Sequence, residues 1–270
     1  MKPNLLLLLI SFHLYPPIYA IDNLRTGDAR SIGMGGNEAT ASPVFNPALI
    51  TLYERNTLRI NCFNRYALKE LGSMNANLYL PGKTLSVGGD VASFGYDAYR
   101  ESMFRFFMAK PLTKQWNLGI SVQCALLQTE LYEEQPTQLS VDVGLTYIPV
   151  DKLLTGLLIT NCPSVSFGGK SAEKKEFMYY MIQAGFQWEL INNVFISGAL
   201  STGEDYVAAG SLGFEYVAFQ DFCLRAGLRS APMLPSFGFG YAFSNFHVDV
   251  AAVYHTVLGI STGLGLSYSF

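Results

Sequence analysis

The pattern that organises this sequence is the alternation of apolar and small residues, and it is clearest at the end of the chain, in residues 259–270. Successive side chains of a β-strand point to opposite faces, so a period of two predicts a strand. One predicted face is apolar and ends in two aromatic residues; it comprises Ile260, Thr262, Leu264, Leu266, Tyr268 and Phe270. The other face is small and comprises Ser261, Gly263, Gly265, Ser267 and Ser269.

The same period begins at Thr57 and predicts about fourteen strands, an even number as in bacterial outer-membrane barrels. The predicted strands are 57–66, 71–80, 83–93, 100–112, 115–128, 138–149, 152–161, 176–190, 193–202, 206–219, 222–230, 233–243, 245–255 and 259–270. The stretch 152–161 fits least well, because leucines fall on both of its faces.

Strand length and face composition indicate which solvent the apolar face meets. Many predicted strands have about ten residues, as a tilted membrane strand requires, whereas soluble strands usually have about five or six. The second faces carry Gly, Ser, Ala and Gln with little Lys or Glu, unlike the outer face of a soluble barrel. We therefore predict an all-β, up-and-down antiparallel transmembrane barrel; a soluble β-barrel or sandwich is the alternative.

Composition supports a membrane barrel. Charged residues make up 14% of the chain, against roughly 25% in soluble domains, and the mean hydropathy is +0.22. The sequence has no apolar run long enough for a membrane helix. Its 19 Phe and 16 Tyr suit strands and interfacial aromatic girdles. The net charge of −3 argues against a nucleic-acid partner.

The connections are predicted to alternate between short turns and longer loops. Short polar turns are expected around 110–115, 150–152 and 191–193. Longer loops are expected at 94–100, 129–137 and 163–175, on the extracellular side.

The amino-terminal part of the chain differs from the rest. Residues 1–20 have the basic start, short apolar stretch and small-residue end of a cleaved secretory signal, with an anchor helix as the alternative. Residues 21–56 are rich in glycine and proline and have no strand period, which predicts a compact irregular segment before the barrel at 57–270. Gly33-Met34-Gly35-Gly36 lacks the spacing and the preceding strand of a dinucleotide-binding fingerprint.

Two motifs in this segment resemble a known family. The stretch Gly27-Asp28-Ala29-Arg30-Ser31-Ile32-Gly33-Met34-Gly35-Gly36, followed by Phe45-Asn46-Pro47-Ala48, is similar to the start of FadL-like outer-membrane barrels. That superfamily includes long-chain fatty acid transporters and PorV/PorQ-type proteins tied to type IX secretion. The resemblance implies a fourteen-stranded barrel that encloses residues 21–56 as a plug. Its plug positions would be Gly33, Gly35, Gly36, Asn46 and Pro47.

The predicted inward face carries polar candidates: Arg59, Arg105, Asp142, Arg225, Arg229, His247 and Asp249. Arg225 and Arg229 share a strand face and could form an anion site; the simpler interpretation is a hydrated lumen with salt bridges that hold the plug. Inward glycines near the closing seam, such as Gly240 and Gly263, would let the plug backbone approach. His247 with Asp249 suggests a catalytic pair, but no nucleophile or oxyanion motif accompanies it.

The sequence predicts neither a metal site nor a cofactor. Its four cysteines lie far apart without metal-ligand spacing, and we interpret each as a small residue inside a strand. We therefore expect a non-enzymatic barrel in the outer membrane of a Gram-negative bacterium, in contact with its lipid. By resemblance it would be a PorV/PorQ-like component of a secretion or assembly machinery, with protein partners. The alternative is a FadL-like transporter for hydrophobic or small solutes, gated by the plug.

Overall fold

A computed structural model of the protein describes residues 24, 27–130, 135–168, 178–204, 207–219 and 221–270. The predicted signal at 1–20 lies outside these residues. The strands are β1 to β15 in chain order: Thr57–Asn64, Gly72–Leu80, Ser86–Tyr96, Tyr99–Pro111, Trp116–Thr129, Thr137–Val150, Leu153–Thr160, Ser164–Phe167, Met181–Ile191, Val194–Gly203, Ala209–Ala218, Phe222–Arg229, Leu234–Phe243, Phe246–His255 and Gly259–Ser269.

Fourteen of these strands close into one antiparallel barrel. Each strand of the ring pairs with the next one along the chain, with β7 pairing with β9 because β8 lies outside the ring. The pairing of β1 with β15 closes the ring. The closing register places Thr57 opposite Ser269 and Asn64 opposite Thr262. The predicted fourteen-stranded barrel is thus confirmed.

The fifteenth strand, β8, was not predicted. It pairs with residues 137–140 of β6, directly beyond the part of β6 that pairs with β7. Strand structure is interrupted at residues 161–163, between β7 and β8. β8 then pairs with the next part of β6, in line with β7. Cys162 lies in this break rather than inside a strand; the four cysteines are free thiols.

The first and last strands distinguish the two ends of the barrel, because β1 begins where β15 ends. The terminal end is where β1 begins and β15 ends, with turns at 81–85, 112–115, 151–152, 192–193 and 244–245 and the connection from β11 to β12. The opposite end is the loop end. The prediction of a long loop at 94–100 is wrong, because β3 and β4 continue to a tight turn at 97–98. Beside this turn Gly95 has a φ of +105°, and the Phe94 and Tyr99 rings pack edge to face.

The outer surface of the barrel is apolar. Leu200, Leu212, Phe237 and Phe243 each expose more than 60% of their surface, an arrangement that water disfavours and a lipid bilayer favours. Near the terminal end, Trp116 stacks on Tyr147 and Tyr268 stacks on Phe270. Within the described residues, no helix is long and apolar enough to cross a membrane.

Candidate functional site: the plugged lumen

The lumen is filled by residues 27–53, which fold into three short helical elements. These are α1 (Ala29–Gly33), α2 (Glu38–Ala41) and the 3-10 helix η1 (Pro47–Leu52). Each begins at an Asp or Asn, namely Asp28, Asn37 and Asn46, whose side-chain oxygen accepts a hydrogen bond from a backbone N–H of the following turn. Such caps satisfy donors that have no partner within the helix. We call residues 27–53 the plug.

Three pairs of glycines on neighbouring strands accommodate the plug backbone. The pairs are Gly119 with Gly144, Gly156 with Gly185, and Gly213 with Gly227, each directly opposed across a strand pair. A Cβ on Gly119 would lie 2.3 Å from the Ala48 nitrogen, one on Gly156 2.2 Å from the Ala39 oxygen, and one on Gly227 2.2 Å from the Gly35 nitrogen. Only glycine allows this approach, so the wall carries three sockets shaped for the plug.

Polar groups of β9 hold the middle of the plug. The Gln183 side-chain oxygen accepts hydrogen bonds from the backbone nitrogens of Glu38 and Ala39, at 2.7 and 2.8 Å, and its Nε2 donates to the Gly36 oxygen. In the other direction, Asn37 Nδ2 donates to the backbone oxygen of Phe186 at 3.0 Å. The wall therefore completes the hydrogen bonding at the start of α2.

Ion pairs hold α1. Arg30 Nη2 lies 2.9 Å from Glu215 Oε1, and Arg225 Nε lies 2.5 Å from Glu215 Oε2. Arg225 Nη1 is also 2.5 Å from Asp249 Oδ1, whose second neighbour is His247 Nε2 at 2.9 Å. The Glu215 carboxylate raises the pKa of Arg30 above its usual value. This chain of charges, which we call the ion latch, joins the plug to β11, β12 and β14.

A second ion pair joins the plug to β1. Arg59 Nη1 lies 3.1 Å from Asp28 Oδ2, and Arg59 Nε donates to Ser267 Oγ at 2.8 Å. Both side chains of the pair are at least nine-tenths buried. The two ends of the Asp28 carboxylate therefore serve different purposes, since Oδ1 caps α1 and Oδ2 binds the wall.

Lumen-facing polar residues on β1 to β6 form a row of directly opposed pairs. From β15 to β6 the row runs Ser267, Arg59, Asn77, Asp90, Arg105, Gln123 and Ser140. We call it the polar belt. Arg105 donates from Nε to Gln123 Oε1 at 2.8 Å and from Nη1 to the plug carbonyl of Val44. Asp142 accepts from Ser121 Oγ, Gln123 Nε2 and the Asn161 backbone nitrogen.

Apolar clusters lie above and below the belt. Ala92, Phe94, Met103, Ala125 and Met178 pack together toward the loop end, and Ile50, Tyr79, Phe107 and Ala109 toward the terminal end. A cavity of about 10 Å³, lined by Phe45, Arg105, Asp142 and Met178 among others, lies beside the belt. Its volume suits roughly one water molecule. Residues 39–50 of the plug are all buried, so this part of the plug packs closely inside the barrel.

The predicted plug positions belong to the segment that fills the lumen. A Cβ on Gly33 would lie 3.3 Å from the Gly238 Cα. Gly35 has a φ of +78°, and a Cβ there would meet the backbone oxygens of Leu212 and Leu228. Gly36 has a φ of +86°. Asn46 and Pro47 lie against Gly144.

The predicted lumen residues divide into groups. Arg225, His247 and Asp249 belong to the ion latch, and Arg59, Arg105 and Asp142 lie in or beside the polar belt. Arg229 forms no ion pair with any described residue and does not converge with Arg225, which is committed to two carboxylates. Gly240 contacts Asp249 and Arg225 rather than the plug. Gly263, in contrast, faces Ile32 and Ala29 of the plug.

The predicted His247–Asp249 pair is part of the ion latch. Its carboxylate is shared with Arg225, and Ser267, directly opposite His247 across the strands, accepts its hydrogen bond from Arg59.

Sequence reasoning did not identify Asp28, Arg30 and Gln183 as contact residues. Each binds a partner 31 to 185 residues away in the chain. The residues Gly27 to Gly36 were identified by resemblance, but their partners in the wall were not. An Asp directly before a short helical stretch is a capping signal that could have singled out Asp28.

Comparisons with known proteins identify the fold. No protein-family model and no curated protein matches the sequence. Among solved structures, the toluene transporter TodX of Pseudomonas putida matches with a TM-score of 0.72 and 11% identity, over 92% of this chain and 99% of that one. The monoaromatic hydrocarbon channel CymD matches with 0.70 and 16%, over 92% and 98%. A FadL homologue of Pseudomonas aeruginosa matches with 0.58 and 10%, over 93% and 98%. At these identities the likeness shows a shared fold.

Proposed function

We propose that this protein is an outer-membrane barrel that passes hydrophobic small molecules, with the plug as its gate. The observation that carries the proposal is that a plugged fourteen-stranded barrel matches a toluene transporter and a monoaromatic hydrocarbon channel over nine-tenths of the chain. Its apolar outer face suits a bilayer. Outer-membrane barrels have short turns on the periplasmic side, so the terminal end would face the periplasm and the loop end the exterior. Residues 1–20 would be the export signal.

The described contacts support gating rather than an open pore. The plug fills the lumen through backbone packing at the glycine sockets, but α1 is joined to the wall by charged side chains. Ion pairs lose strength when water enters, because screening and solvation replace the partner. Passage would follow displacement of the plug from the wall.

These likenesses favour transport over a role in a secretion or assembly machine. The secretion role rested on resemblance to PorV/PorQ-type proteins and stays a prediction. No enzymatic activity, metal or cofactor is proposed.

The test is solute flux into liposomes that contain the refolded mature protein. Toluene uptake by an encapsulated reporter would be compared between the full mature protein, a variant lacking residues 21–50 and empty liposomes. We expect the full protein to exceed empty liposomes and the deletion to leak small polar solutes as well. Equal toluene uptake with and without protein, in samples whose barrel remains compact on an unboiled gel, would contradict the proposal.

A further inference from the structure

Asp90 is a buried carboxylate that forms no ion pair within 4.0 Å with any described residue. It lies in the middle of the polar belt, is 3% exposed and accepts a hydrogen bond at Oδ1 from Asn77 Nδ2. Its Oδ2 has no hydrogen-bond partner, and no described residue forms an ion pair with it. A buried carboxylate with a free oxygen is costly, because it has lost its water and gained nothing in exchange.

The two arginines nearest in the belt are bound elsewhere. Arg105 is directly opposite Asp90, but its donors go to Gln123, the Val44 carbonyl and the Met103 sulfur, and its nearest carboxylate is Asp142 at 3.9 Å. Arg59, one strand beyond Asn77, is paired with Asp28. One guanidinium thus stands between two carboxylates, which leaves one negative charge in excess.

A second acceptor, two strands from Asp90, also lacks a partner among the described residues. Asn61 is fully buried; its Nδ2 donates to Asn75 Oδ1 at 2.8 Å and to Asn77 Oδ1 at 3.3 Å, while its own Oδ1 has no partner. Asn77 therefore links Asp90 to Asn61 by hydrogen bonds, while the Asn61 Oδ1 faces Gly265 of β15. Oxygen acceptors and an excess negative charge are what a hard cation or an ammonium group binds.

We propose that the lumen wall at Asp90 is a binding site for a cationic group. The group can come from an inorganic cation or from the ammonium head of an amphipathic molecule whose apolar part would contact the cluster around Phe94 and Met103. A carboxylate head is disfavoured by the excess charge. The site does not depend on the proposed transport function.

The experiment titrates the refolded mature protein by calorimetry with separate probes: NaCl, CaCl2, 2-phenylethylammonium and, as the matched anion, 3-phenylpropionate. We expect saturable binding of at least one cation and none of the anion. The Asp90→Asn variant should weaken that binding roughly tenfold or more, as expected for loss of a charge-assisted bond. Asp97→Asn, which removes an exposed charge in a turn, should leave it unchanged.

The probes distinguish the two sources of the cationic group. Binding of Na⁺ or Ca²⁺ without 2-phenylethylammonium assigns an inorganic ion, and the reverse assigns an amphipathic head group. Failure of every cation to bind the wild-type protein, or unchanged binding by Asp90→Asn, would overturn the proposal. So would an infrared carboxylic-acid band at pH 7 that Asp90→Asn removes, because a neutral Asp90 needs no cation. The wild-type titration decides even if the variant fails to refold.

Discussion

Arg30 of the plug and Glu215 of strand β11 form a two-point ion pair, with Nη2 2.9 Å from Oε1 and Nε 3.1 Å from Oε2. They are 185 residues apart in the chain. Glu215 also binds Arg225, so one carboxylate neutralises a cation of the plug and a cation of the wall. Charge at this point decides how firmly α1 is held.

Replacing Glu215 by Gln should loosen the ion latch. The variant leaves the buried Arg225 with one carboxylate and Arg30 with none, and breaking a buried ion pair in this way costs about 3 kcal/mol. We expect a lower unfolding temperature of the barrel and a higher solute flux. Glu54→Gln, at an exposed position before β1, is the control. Unchanged stability and flux in Glu215→Gln would show that the latch does not hold the plug.

Replacing Gly227 by Ala should displace the plug. The new Cβ would lie 2.2 Å from the Gly35 nitrogen and 2.5 Å from the Met34 carbonyl carbon, which are backbone atoms that cannot rotate away. Overpacking of this kind costs about 1–3 kcal/mol. Gly210→Ala is the matched control in the neighbouring strand, since its Cβ meets nothing closer than 3.6 Å. Protease cleavage in residues 27–53 should increase in Gly227→Ala alone; equal protection in both variants would argue against the socket.

Replacing Gln183 by Met should free the start of α2. Met fills similar space but cannot accept the hydrogen bonds from Glu38 and Ala39, and each buried N–H without a partner costs about 1–3 kcal/mol. Hydrogen exchange of the amides in residues 37–41 should become faster, as read by mass spectrometry. Gln187→Met, four residues further along the same inward face of the strand, should leave the exchange unchanged. Slow exchange in Gln183→Met would mean that packing alone holds α2.

Replacing Leu264 by Arg tests the orientation of the outer face. Leu264 lies mid-strand, half exposed, with Cys62 and Val250 as its cross-strand partners. An arginine facing lipid at mid-depth costs about 2–4 kcal/mol. We expect poorer refolding into liposomes than for Thr256→Arg, which lies in an exposed turn. If both variants refold equally well, the apolar face does not meet lipid.

The barrel could be predicted from sequence because period-two alternation directly reports which side chains share a face. The mixed pattern in 152–161 has a structural reason: Leu158 points inward but is completely buried against Ala39, Val44 and Phe45 of the plug. An inward apolar residue there meets protein rather than water, so alternation fails where the plug packs.

The contacts of the plug could not be predicted in the same way. The sockets require two glycines on neighbouring strands, and their pairing depends on register, which strand boundaries read from sequence do not fix. The partners of Arg30 and Gln183 depend on how the plug is rotated in the lumen. The excess charge at Asp90 emerged only when the bonds of Arg105 and Arg59 were known.

The most direct test of the gating account is a reversible cross-link between plug and wall. The Cβ of Ala29 lies 3.7 Å from the Cβ that Gly265 would carry, close to the spacing of about 3.8 Å in disulfides. In the double variant Ala29→Cys and Gly265→Cys, a disulfide would join α1 of the plug to β15 of the wall. The four native cysteines would be changed to serine. The amide of Asn61 must move aside for the new side chain.

Toluene flux into liposomes would be measured with this variant oxidised and then reduced, beside each single cysteine variant. The account predicts that oxidation abolishes flux, that reduction restores it, and that the single variants do not respond. Equal flux in the oxidised and reduced states, with the cross-link verified by mass spectrometry, would show that the plug does not gate passage.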